Sequence, residues 1–165
     1  MRSSTGTTLL RMMFSPLVLL AIAPAWAGEV VVPPLLSSGV ESQTVHNLTT
    51  LIASELDFMP EVDKVIELDT RPSNLGTNCL ASTSCLAGIT RNNGGNQLIG
   101  GIVKAKGEDF EFDLLLYDST ANKIVRRKSF TINSNPTAIA NGMTPIIIEV
   151  LTGVGAEEKA AAAIN

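Results

Sequence analysis

The chain has 165 residues, of which 45% are hydrophobic, with 12 Lys and Arg against 16 Asp and Glu. That length suits one domain. A net charge of −4 argues against nucleic acid or an anionic membrane face as the main partner, since both call for a basic surface.

Residues 1–27 read as a secretory signal peptide. Arg2 and Arg11 supply positive charge, Leu17-Val18-Leu19-Leu20-Ala21-Ile22-Ala23 is an apolar run, and Ala25-Trp26-Ala27 is an A-x-A cleavage site. Cleavage after Ala27 is expected to deliver a periplasmic protein that begins at Gly28. The apolar run falls short of the roughly 20 residues needed to span a bilayer. No Cys follows the cleavage site to carry a lipid, and no later segment is apolar over a spanning length. The 138 residues left carry 10 basic and 16 acidic side chains, a charge of −6.

Val30-Val31-Val32 is an unbroken apolar run stopped by Pro33-Pro34, which predicts a strand buried on both faces in a parallel sheet. Residues 35–39 read as a loop. Ser38 or Ser42 is the expected helix cap. Val45, Leu48, Ile52 and Leu56 then recur at helical spacing with Leu51 alongside, while Gln43, His46, Asn47 and Thr50 fill the opposite face. Met59-Pro60 ends that helix, and Val65-Ile66-Glu67-Leu68 is a second strand. Together they predict a β-α-β unit with a right-handed crossover.

Residues 71–83 are rich in Ser, Thr, Asn, Pro and Gly and predict a loop. A short helix is expected over 84–91 with Leu86 and Ile89 inward, stopped at Asn92-Asn93-Gly94-Gly95. Strands are predicted over 98–106 and 109–117, joined by Gly107-Glu108. Gly in the first turn position suits a type II′ hairpin. That register sets Lys106 against Asp109 and Lys104 against Glu111, opposite charges directly across the pair. Phe110, Phe112, Leu114 and Leu116 form one apolar face, with Asp109, Glu111 and Asp113 on the other.

A third meander strand is expected over 123–133, with Ile124, Phe130 and Ile132 on one face. Arg126 and Lys128 interrupt that face, a pattern suited to a sheet edge protected by charge. A final helix spans 137–151 with Ile139, Met143, Ile147 and Val150 aligned. Pro145 should kink or restart it. Residues 154–165 form an Ala- and Glu-rich tail expected to be flexible.

Cys79 and Cys85 are the only cysteines. An even pair in an oxidising compartment points to a structural disulfide. The C-x5-C spacing is not a redox C-x-x-C, and a lone His leaves no ordinary zinc set. His46 has no nucleophile or metal cluster beside it and faces away from the core. The acids Asp109, Glu111 and Asp113 could resemble a metal comb, but their alternation and Lys neighbours fit a solvated strand face. Asn47-Leu48-Thr49 matches a glycosylation sequon in mid-helix. Gly94-Gly95 and Gly100-Gly101 open no helix and so form no phosphate-binding turn. No G-x-S-x-G, P-loop or H-E-x-x-H occurs. No catalytic residue, metal or cofactor is expected.

Several of these segments resemble a known family. The run from Val30 through Pro34, the amphipathic helix and Val65-Ile66-Glu67-Leu68 resemble the opening of TolB N-terminal-like domains. Cys79 with Ser84-Cys85-Leu86-Ala87 is similar to a cysteine-pair segment of short exported versions, and the glycines before the meander are similar too. The resemblance implies an α/β fold, β-α-β-α-β-β-β-α on a mixed five-stranded sheet, over residues 28–153. It implies a version without the β-propeller of TolB, distantly like CsgG-type secretion proteins, and no catalytic residue to carry over. The expected function is a non-catalytic, exported protein-interaction module of the cell envelope. The alternative is an accessory subunit of an outer-membrane secretion or transport assembly. The partner is an envelope protein, with no nucleic acid and no integral membrane segment. Its expected contact residues are Lys123, Arg126, Arg127 and Lys128 on the edge strand.

Overall fold

The structure is a computed structural model, and it describes residues 28–155. Residues 1–27, expected to be a signal segment, and residues 156–165 of the expected tail lie outside the described residues. The elements in chain order are β1 (Gly28–Val32), β2 (Leu36–Ser38), α1 (Ser42–Asp57), β3 (Val62–Glu67), a 3₁₀ turn (Cys79–Ala81), α2 (Thr83–Asn92), β4 (Gln97–Lys106), β5 (Asp109–Asp118), β6 (Lys123–Asn133) and α3 (Pro136–Thr152). The sheet order is β3-β1-β4-β5-β6. The first two pairings are parallel and the last two antiparallel.

The three valines of β1 place it between two parallel neighbours, as the unbroken apolar run predicts. Val30 and Val31 are fully buried and point to opposite layers. One layer lies under α1 and α3. There Leu48, Ile52 and Leu56 of α1 and Met143 and Ile147 of α3 meet Phe112, Leu114 and Leu116 of β5. Phe112 stacks on Phe130 with ring centroids 4.9 Å apart. The other layer lies under α2 and the 3₁₀ turn, where Leu80, Leu86 and Ile89 cover Val31, Leu98, Leu115 and Tyr117. The β4–β5 register matches the expectation residue for residue, with Gly107 at φ +65° in the turn. The charges pair diagonally, however: Lys106 Nζ lies 3.8 Å from Glu111 Oε2.

Four expectations are corrected. The sheet has six strands and not five, because residues 36–38, read as loop, form β2 beside Ile102–Lys104 of β4. β1 and β2 are in effect one strand interrupted by Pro33-Pro34, which have no N–H to offer β4. The N-cap of α1 is Glu41, neither Ser38 nor Ser42, and its side chain makes no capping bond. Of the two outcomes expected at Pro145, a kink or a restart, the restart does not occur, and α3 runs through it; Asn141, whose carbonyl loses its helical donor, is exposed to water. Ile124 does not share a face with Phe130 and Ile132. An extra residue, Val125, stands between the pairs Leu116–Arg126 and Tyr117–Ile124, and this bulge turns Ile124 to the α2 layer.

Candidate interaction surface

β6 is the outermost strand on one side of the sheet and is eleven residues long. Ser134 N donates to Glu108 O at 2.8 Å, just beyond the strand ends. Bonding alternates along an antiparallel pair, so Phe130 and Ile132 direct their N–H groups to β5, and Ser129 and Thr131 direct theirs outward. Ser129 and Thr131 are both exposed.

The four cations expected on this edge have different surroundings. Lys123 is exposed at the start of the strand, opposite Asp118. Arg126 follows the bulge and faces α3. Its Nη1 donates to Leu151 O at 2.7 Å and its Nη2 to Thr152 O at 3.1 Å. These carbonyls belong to the last turn of the helix, which has no later amides to serve them. Gly153 closes the turn at φ +77°, with its N–H on Glu149 O. Arg127 points to the open side of the sheet and holds Asp113 in a fork. Nε donates to Oδ1 at 2.9 Å and Nη2 to Oδ2 at 2.6 Å. This hydrogen bonding to Asp113 raises the Arg127 pKa above its ordinary value, against a smaller opposing effect of burial. Lys128 pairs with Glu149 of α3. Three of the four are therefore engaged within the domain. Their partners come from β5 and α3, so their roles depend on contacts between elements and on a bulge.

The acids opposite are matched in the same way. Asp109 accepts from Asn133 Nδ2 at 3.1 Å, and Asp113 is held by Arg127. Among the described residues no group of His, Cys, Asp or Glu gathers as a metal ion requires. His46 is exposed on α1, beside a hollow of about 380 Å³ that Ser37, Ser42, Asp69 and Arg71 also line. A groove of about 510 Å³ between α1 and α3 is more apolar, with Leu48, Leu51, Phe110 and Ile139 in its walls. The sequence reading missed this groove, although Leu51 and Ile139 were each placed on a helix. Phe58, after α1, is 85% exposed.

Cys79 and Cys85 are joined by a disulfide. It ties the 3₁₀ turn to the first turns of α2, whose cap is Ser82 accepting from Cys85 N at 3.3 Å. The half-cystines are packed on the α2 layer, with Cys79 4% exposed.

No protein-family model matches this chain, and no curated protein matches it in sequence. Solved structures do match in fold. A PelC dodecamer from Paraburkholderia phytofirmans aligns with a TM-score of 0.52 at 14% identity, over 78% of this chain and 87% of that one. TolB from Acinetobacter baumannii aligns with a TM-score of 0.51 at 16% identity, over 78% of this chain and 29% of that one. The likeness to TolB agrees with the resemblance in the sequence at the level of the fold. No helix among the described residues is long and apolar enough to cross a membrane.

Proposed function

We propose that this chain is an exported, non-catalytic protein-interaction module of the cell envelope, and that its partner adds a strand to the outer edge of β6. The observation that carries this reading is the edge itself. β6 is long, it is outermost, and its N–H groups at Ser129 and Thr131 face away from β5. Lys123, which makes no ion pair among the described residues, offers a cation at one end for an acidic partner, while the engaged Arg126, Arg127 and Lys128 keep the edge unattractive to a second copy of itself.

Changing Arg126 and Arg127 to Glu would test the surface poorly, because it would also break the α3 terminus and the Asp113 fork. Thr131→Pro removes one outward donor and leaves the β5 ladder whole, since proline is tolerated on the open side of an edge strand. Crosslinking in intact cells should capture an envelope protein with the parent chain and lose it with Thr131→Pro, at a nearly unchanged melting temperature. Undiminished capture by both Thr131→Pro and Ser129→Pro would sink the strand-addition reading.

A second reading is an accessory subunit of an outer-membrane secretion or transport assembly. The likeness to PelC, whose structure is a dodecamer, supports it. Sedimentation of the purified protein separates the two. A stable ring of identical subunits favours the assembly, and a monomer that binds a different protein favours the module.

A further inference from the structure

Gly28 is the residue that the A-x-A pattern places at the new N-terminus. In the structure it is the buried first residue of β1, and its N donates to Glu61 O at 3.1 Å. Gln97 Oε1 lies against its Cα. That oxygen is buried and has no hydrogen-bond donor among the described residues. A Cβ on residue 28 would stand 2.6 Å from it, and 3.4 Å from Asn96 Oδ1. Asn96 also grips the next residue from both sides: Glu29 N donates to its Oδ1 at 2.9 Å, and its own N donates to Glu29 O at 3.0 Å. The strand therefore begins in a nest of oxygen acceptors, one of them unsatisfied. A peptide nitrogen at residue 28 has a single hydrogen, and Glu61 O takes it. An orphaned buried acceptor is costly, and natural proteins seldom leave one.

We propose that this nest is the seat of the mature N-terminal ammonium group. A signal peptidase would hydrolyse the Ala27–Gly28 bond. The hydroxyl of water goes to the Ala27 carbonyl carbon, and its hydrogen to the Gly28 nitrogen, which takes a further proton near neutral pH. The resulting ammonium has three donors. One keeps Glu61 O and one turns to Gln97 Oε1. Charge-assisted bonds of this kind are roughly twice as strong as neutral ones. A side chain at residue 28 would have to push the Gln97 amide aside, because its oxygen stands 2.6 Å from where a Cβ would lie. Processing thus supplies the donors that the folded sheet lacks. This inference shares with the proposed function only the premise of export, and β6 has no part in it.

The test uses the full chain exported to the periplasm. Mass spectrometry should give Gly28 as its first residue. Acetic anhydride near pH 7, where exposed α-amines react ahead of lysines, should label the α-amine at least ten times more slowly in the folded protein than in urea. Gln97→Leu should restore most of the unfolded rate. If that variant does not fold, Gly28→Ala, which crowds the seat without deleting an acceptor, should do the same. A first residue other than Gly28 overturns the proposal. So does equal labelling of folded and unfolded parent protein. Failure of Thr131→Pro to affect partner capture would leave both of these measurements unchanged.

Discussion

Arg126 and Lys123 are three residues apart on one strand and should respond to mutation very differently. Arg126→Leu keeps the aliphatic stem but removes the donors to Leu151 O and Thr152 O. Hydrogen bonds to charged groups contribute about 1.5–3 kcal/mol, so urea denaturation should show a loss of that order. Lys123→Gln removes no such bond and should change stability by less than about 0.5 kcal/mol. Gly101 is a second sensitive position. A Cβ there would stand 2.2 Å from Asp113 O, closer than two strands can accept. Gly101→Ala should cost about 1–3 kcal/mol through displaced backbone, measurable in the same titration. By contrast, an Ala at Gly107 meets no atom, and the φ of +65° is the only obstacle.

At the scale of elements, the disulfide is a local clamp. Replacing Cys79 and Cys85 together with Ser should lower stability by about 2–2.5 kcal/mol by the loop-entropy relation, and should make residues 71–83 the first site of proteolysis. Uncut protein at equal protease exposure would argue that the segment is held by Leu75 and Leu80 alone, both of which are buried. The strands were legible where one signal repeated. The hairpin register followed from one glycine and alternating charge, and the helix faces followed from their apolar period. β2 was not legible, because three residues are too few to show alternation and its pairing is with a strand sixty-odd positions away. The Val125 bulge was equally hidden. Alternation read across 124–132 assumes an unbroken pleat, and only the β5 partner reveals the extra residue.

For the whole molecule, β4 and β5 are the centre of the fold, since each is paired on both sides and covered by helices on one layer or both. Amide exchange should be slowest at Ile99, Leu114 and Leu116, and several orders faster at the ends of β3 and β6. Uniform protection across the sheet would contradict that ordering. The layered α/β class was readable because each amphipathic segment declared one apolar side. The candidate site was readable only as a charged edge. That Arg126, Arg127 and Lys128 are spent on Leu151, Asp113 and Glu149 depends on approaches between distant segments, which no local pattern encodes.

Were a partner strand to add to β6, the bulge at Val125 would link it to the end of α3. Arg126 leaves β6 immediately after the extra residue and grips the final carbonyls of α3. A guest strand that flattened this stretch would pull the guanidinium away from those carbonyls. Occupancy of the edge would then register as fraying of the last turn of α3. Amides of Val150, Leu151 and Thr152 would be the reporters, although none of them touches the guest.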